Sequence, residues 1–198
     1  QSNSAALAAR FANDGSPSGA LDCPGNWING ILNPSNSHYT EDQSVPQRLV
    51  LDLPTGGSTT DRTVAIRYQT RKGDVHAYDS LATWDYTQTA ADRCQDVGAG
   101  NCVDEFGSPD THAIPDDTTV VNSAAPGCLQ ESTASHMLPT GADREMTMYG
   151  GDITAVSAPV HDNAASGTQD DFATVIVTYN VTALPTKVML LWGGPPAA

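Results

Sequence analysis

Apolar residues recur at every second position in several short segments, the period of a strand with one buried face. Residues 47–53 (QRLVLDL) set Leu49, Leu51 and Leu53 on one side. Residues 63–68 (TVAIRY) set Val64, Ile66 and Tyr68 against Ala65 and Arg67. Pro54-Thr55-Gly56-Gly57 between them is turn chemistry, so these two segments are expected to pair as a hairpin. Residues 145–149 and 153–156 flank Gly150-Gly151, a further turn or bulge. The strongest strand signal is 173–181 (ATVIVTYNV). Residues 187–192 (KVMLLW) follow across Ala183-Leu184-Pro185, and these two are expected to close the sheet as a second hairpin. Near the start, 26–32 (NWINGIL) place Trp27 and Ile31 beside an Asn-Gly turn.

One segment breaks the period. In 75–86 (VHAYDSLATWDY), Ala77, Leu81 and Trp84 fall at i, i+4 and i+7, which predicts a short helix or turn between strands. Residues 91–135 are rich in Gly and Pro, hold three of the four cysteines and show little periodicity. They read as a long irregular insertion tethered by disulfides. The pattern as a whole predicts an all-β fold, an antiparallel β-sandwich of Ig-like or jelly-roll-like type, with at most a short helix.

Residues 1–13 (QSNSAALAARFAN) are Ala-rich and end at a breaker, DGSPSG, at 14–19. The domain organisation expected is an N-terminal arm and flexible joint over 1–20, followed by a single sandwich domain over 21–198. The apolar positions of the arm are Ala5, Ala6, Leu7, Ala8, Ala9 and Phe11.

Composition then narrows the setting. Only 16% of residues are charged, against about 25% in an average soluble protein, and Thr, Ser, Asn and Gly take their place. The formal net charge is −14, with lysine only at Lys72 and Lys187. Such a field repels phosphate backbones and anionic lipid, so nucleic acid is a poor partner. No apolar run is long enough for a membrane-spanning helix. The chain opens at Gln1 without Met. That fits a mature product whose leader was removed, and equally a boundary within a longer chain.

The cysteines are Cys23, Cys94, Cys102 and Cys128, with no CxxC pair to suggest zinc or a redox motif. Cys94–Cys102 is the favoured disulfide, because QDVGAGN between them folds back easily. Cys23–Cys128 remains as the second pair. Both point to an oxidising, extracellular compartment.

Motifs for catalysis are missing: no GxSxG, HExxH, Walker loop or GxGxxG. His38, His76, His112, His136 and His161 stand singly, and loop or packing roles are the simplest reading for each. Carboxylates gather in turn-rich segments, at Asp104, Glu105 and Asp110, at Asp116 and Asp117, and at Asp162, Asp170 and Asp171. Calcium takes oxygen ligands from such loops, which makes the first two groups candidate Ca²⁺ sites, although none matches an EF-hand. Trp27, Trp84 and Trp192 each sit in an apolar stripe and read as core. Asn180-Val181-Thr182 is a glycosylation sequon, placed in a predicted strand.

Five phrases stand in order along the chain: GNWINGILNPSNSHYTEDQSVPQRLVLDLP (25–54), GDVHAYDSLATWDYT (73–87), HAIPDD (112–117), MTMYGGDIT (146–154) and VMLLWGG (188–194). Together they resemble an uncharacterised domain that recurs in secreted and surface proteins of bacteria, including large adhesin-like ones. The resemblance spans most of 25–194. It implies extracellular placement, a β-rich fold and a non-enzymatic role, and carries over no ligand or catalytic residue. Members of that family continue past WGG with a further polar-aromatic segment, whereas this chain ends at Pro195-Pro196-Ala197-Ala198.

The resulting expectation is a secreted, cell-surface structural protein without cofactor. Its partners would be copies of itself, joined into a filament, pilus-like fibre or surface layer when the arm adds a strand to a neighbour's sheet. The alternatives are a monomeric adhesin, or a carbohydrate- or calcium-dependent binding module. A hydrolase built from a scattered His and carboxylates is a third class.

Overall fold

The computed structural model describes residues 44–73, 75–78, 80–87, 93, 94, 97, 102–117, 141–163, 170–184 and 186–195. Among the described residues nine strands follow one another: β1 (Val45–Leu53), β2 (Arg62–Lys72), β3 (Val75–His76), β4 (Pro109–Ala113), β5 (Glu145–Tyr149), β6 (Asp152–Val156), β7 (Val160–His161), β8 (Asp171–Asn180) and β9 (Thr186–Gly194). One short helix, α1 (Cys102–Phe106), precedes β4. All strand pairs are antiparallel. They form two sheets, ordered β1-β9-β5-β4 and β3-β2-β8-β6, with β7 also pairing β8. The fold is the expected all-β sandwich.

The period-2 pattern becomes the inner face of each sheet. Along β8, Ala173, Val175, Val177 and Tyr179 are buried, while Thr174, Ile176 and Thr178 alternate outward. Ile66 and Tyr68 from β2, Leu53 from β1 and Met146 and Met148 from β5 meet them in the core between the sheets. Strand β9 does not alternate, because it is buried on both sides. Val188 and Leu190 face the main core, whereas Met189 and Leu191 join Trp84, Cys102, Phe106 and Tyr149 in a second cluster. Residues Cys102 and Phe106, four apart on α1, supply the helix's buried side to that cluster.

Within the described residues the expected strands are present, while 26–32 with Trp27 lies outside them; the expected hairpins are not formed. Strand β1 pairs with β9, and β2 pairs with β8, so 47–53 and 63–68 lie in opposite sheets. The same holds for β8 and β9, and for β5 and β6. Alternation reports that a strand buries one face; it does not report which strand takes its hydrogen bonds. Consecutive strands that face each other across a sandwich show the same pattern as a hairpin. A hairpin does join β2 to β3, where Lys72 pairs with Val75 across Gly73, which has φ +62°.

Of the short helix or turn expected over 75–86, the described residues show no helix, and the turn stands only at 84–87. Residues Val75–His76 form β3, and Ala82 exchanges both backbone hydrogen bonds with Gly193. Leu81 enters the main core and Trp84 the second cluster, so the apparent stripe is split between two cores. Helix stands instead in the cysteine-rich segment.

Gly193 turns its N–H and C=O toward Ala82. By the alternation of antiparallel pairs, Gly194, Trp192 and Leu190 then bond to β1 through Val45, Gln47 and Leu49. Pro46 falls at a position turned away from β9, where a missing N–H costs no ladder bond.

Candidate functional site

Buried polar side chains concentrate at one end of the sandwich. Ser44 precedes β1, Thr70 and Arg71 end β2, Asp117 follows β4, Arg144 precedes β5 and Asp171 opens β8; all are buried. Ser80 is buried beside them in sequence with Leu81. A register shift between Gln69 and Arg71 bulges β2 at Thr70, and Thr70 Oγ1 donates to Asp171 Oδ2 at 2.5 Å.

His161, at the end of β7, is held between two carboxylates. Its Nε2 lies 2.8 Å from Asp117 Oδ2, and its Nδ1 is hydrogen-bonded to Asp171 Oδ2. The three side chains are 7%, 2% and 3% exposed. Asp171 Oδ1 also accepts the Asn163 N–H at 2.8 Å. The hydrogen bond to Asp117 raises the His161 pKa; burial opposes this, the Asp171 bond reinforces it, and the value settles at about 9. Burial pushes the Asp171 carboxyl up, but bonds from His161, Thr70 and Asn163 outweigh it and hold the group below the usual carboxylate range. At neutral pH His161 is therefore an imidazolium, held between the side chains of Asp117 and Asp171. With both ring nitrogens engaged, His161 has no lone pair with which to take a substrate proton.

Arg144 stands nearby, donating to Asp116 Oδ1 at 2.7 Å and to the Pro115 carbonyl at 2.8 Å. These bonds tie the segment after β4 to the start of β5 in the same sheet, and the Asp117–His161 pair fastens that segment to β7 in the other. Among the described residues, Ser44 Oγ, Tyr68 Oη, Ser80 Oγ and Arg144 Nε are buried without a hydrogen-bond partner. Burial, reinforced by Asp117, pushes the Tyr68 phenol well above its ordinary value.

Tyr68 also lines a cleft of about 210 Å³ at the β1 side of the sandwich. Gln47 and Trp192, directly opposite each other on β1 and β9, face it from one sheet; Tyr68 and Gln69 on β2, with Tyr78, face it from the other. Trp192 is only partly buried against the core. It is thus both a core residue, as expected, and a wall of this cleft.

The carboxylates proposed for calcium are dispersed. Asp104 and Glu105 lie on α1, with Glu105 Oε1 3.7 Å from Lys187 Nζ. Asp110 accepts the Ile153 N–H at 2.7 Å, bridging β4 to β6. Asp116 pairs with Arg144, and Asp117 with His161. Of the third acidic group, Asp162 pairs with Arg67 and Asp170 with Lys72. No group of three or more His, Cys, Asp or Glu side chains is set to hold a metal among the described residues. Asn180 ends β8, and its Oδ1 accepts the Asp61 N–H at 2.9 Å.

The Cys94–Cys102 disulfide is present, with Cα atoms 5.1 Å apart. Cys23 and Cys128 lie outside the described residues, as do the arm positions Ala5, Ala6, Leu7, Ala8, Ala9 and Phe11. The Asp117–His161–Asp171 cluster escapes sequence reading because its members are isolated along the chain. The only signal is that Asp117 and Asp171 each directly follow another Asp. No helix among the described residues is long and apolar enough to cross a membrane.

No known family model matches the chain, and no curated protein or solved structure matches it.

Proposed function

We propose that the protein is a non-enzymatic extracellular structural subunit that joins to copies of itself by strand addition at β1. The observation that carries this reading is the position of β1. It is nine residues long, it ends its sheet, and β9 is its one strand neighbour among the described residues. The alternation set by Gly193 turns the backbone of Val50 and Asp52 away from β9, and the Val50 side chain is 37% exposed. The strand itself holds no lysine, a common device against edge-to-edge pairing, and its charged residues are Arg48 and Asp52, the latter 3.9 Å from Lys187 Nζ. The apolar positions of 1–13 supply a segment of suitable length and character to add there. The disulfide and the resemblance to domains of secreted proteins favour an oxidising compartment.

Sedimentation and negative-stain imaging of the native chain test this. Polymers are expected, lost both on deletion of residues 1–13 and in Val50→Lys, with melting temperature unchanged in the latter. A discrete particle near 20.7 kDa at all concentrations sinks the reading.

The cleft between Trp192 and Tyr78 favours a second reading, a monomeric binding module displayed at the cell surface.

A further inference from the structure

We propose that the outer face of the β2–β8 sheet is an interface with a second copy of this chain. This goes beyond strand addition at β1 and does not depend on it. The two sheets are covered unequally. Trp84, Cys102 and Phe106 pack on the outer side of β5 and β9. Among the described residues no such cluster covers the outer side of β2 and β8. A solvated sheet face is ordinarily polar, yet here Ile176 is 45% exposed and Val160 66%, two of the four large exposed hydrophobic side chains among the described residues. They are neighbours. Val160 pairs with Thr174 and so stands diagonally beside Ile176 on the same face, and Ala65 lies directly opposite Ile176. The backbone of Ile176 is already served: its carbonyl accepts the Ser157 N–H and its N–H donates to Ser157 Oγ, each at 2.9 Å. What this position still offers is its side chain, which suits the packing of faces rather than the addition of a strand.

Charge then selects the occupant. The chain carries −14, so two copies repel wherever both bring uncompensated acid. The central rows of this face, Ala65–Ile176 and Thr63–Thr178–Ala155, hold no charged side chain. Arg67, opposite Thr174, is neutralised by Asp162 at 2.5 Å and lies 3.9 Å over the Phe172 ring. A cationic partner gains more on the acidic faces, whereas a partner of like charge needs a neutral one. The face is also self-complementary. Arg67 lies toward one end of the stripe, and exposed Asp152, opposite Asn180, lies at the other. A two-fold axis in the interface, perpendicular to the line joining them, sets each copy's Arg67 opposite the partner's Asp152. Three strands about 4.8 Å apart give a contact at the small end of specific interfaces, so the dimer is a weak one.

The test uses the full chain carrying Val50→Lys, which blocks strand addition at β1 and leaves this face, in the other sheet, untouched. Sedimentation equilibrium should show monomer and dimer, with a dissociation constant on the order of 0.1 mM for so small a contact. Ile176→Lys and Val160→Lys, added singly, should each weaken the dimer roughly tenfold or more. Both side chains are exposed, so the melting temperature should not move. Asp152→Lys should weaken it less, and that loss should shrink at high salt. Amides of Ala65, Thr174 and Ile176 should shift with concentration in NMR spectra while that of Met189 on β9 stays fixed. The proposal is overturned if Val50→Lys remains a monomer at about 1 mM, tenfold above the expected constant. It is also overturned if the dimer survives both Ile176→Lys and Val160→Lys. A monomer whose Ala65 and Ile176 amides shift on deletion of residues 1–13 overturns it too, since the arm would then cover this face. A native chain that dimerises without polymerising removes strand addition at β1 and supports this interface. Polymers of the native chain beside a monomeric Val50→Lys do the reverse.

Discussion

His161 Nε2 lies 2.8 Å from Asp117 Oδ2, a bond between residues 44 positions apart that fastens the end of one sheet to the edge of the other. Asp171 holds the opposite nitrogen of the same ring. A buried charge cluster of this kind adds modest net stability against an apolar replacement, but removing one member leaves the others uncompensated. The cluster therefore acts as a geometric lock on the polar end of the sandwich.

The lock makes stability depend on pH. His161 is held up at about 9 against an ordinary 6.5. Its contribution, roughly 3 kcal/mol from a shift of that size, is whole below pH 6.5 and is lost as pH rises through 9. Asp171 is held below its ordinary 3.8. Its contribution is whole above that value and is lost as pH falls through the lowered one. Maximum stability is expected between these limits, with a decline from pH 6.5 to 9 in thermal melts. In His161→Leu that alkaline decline should vanish, and stability at pH 6 should fall by about 3–5 kcal/mol, because two buried carboxylates lose their cation. An alkaline limb that persists in His161→Leu would assign it to another group.

The disulfide supports a different part of the molecule. Cys102 is 1% exposed and belongs to the cluster on the outer side of β5 and β9. Replacing Cys94 and Cys102 together by Ala should cost about 2.5 kcal/mol, the loop-closure entropy of so short a ring. The loss should be local. Limited proteolysis is expected to cut near 94–106 first, while amides of β8, which lies in the other sheet, keep their protection. Equal loss of protection in both sheets would contradict this separation of the two cores.

Glycine 150 carries the sharp turn between β5 and β6. It has φ +80°, and a Cβ there would collide with the Lys187 carbonyl oxygen and stand 3.3 Å from that of Phe106. Gly107 has φ +89° but nothing within 4 Å of such a Cβ. Gly107→Ala should cost about 1–2 kcal/mol for the left-handed backbone alone. Gly150→Ala should cost more, because backbone must also move, and urea unfolding of the two variants measures the difference.

Much of the sandwich is legible in the chain. The faces of β1, β2 and β8 follow from the period of Leu49-Leu51-Leu53, Val64-Ile66-Tyr68 and Ala173-Val175-Val177. Sequence reading passed over the hairpin from β2 to β3, whose signal was the Gly73-Asp74 dipeptide between two strand-forming residues, and the pairing of β7 with β8. The helical stripe of Ala77, Leu81 and Trp84 misled because 3.6-residue spacing also arises by chance when extended chain passes between two cores. Of the polar site, only the acidic doublets were visible, and they suggested calcium rather than a histidine clamp.

The sequence by itself determined the all-β class and the strands β1, β2, β5, β6, β8 and β9, and it favoured the Cys94–Cys102 bridge, because these depend on residues close along the chain; it missed β3, β7 and β4, the last in a segment read as irregular. Tertiary structure decided which strands pair, which residues form the second core, and that Asp117, His161 and Asp171 meet at one end. Those are relations between segments far apart in sequence. Alternation gives each strand an inner face but names no partner, and an isolated histidine carries no record of the carboxylates that folding will bring to it.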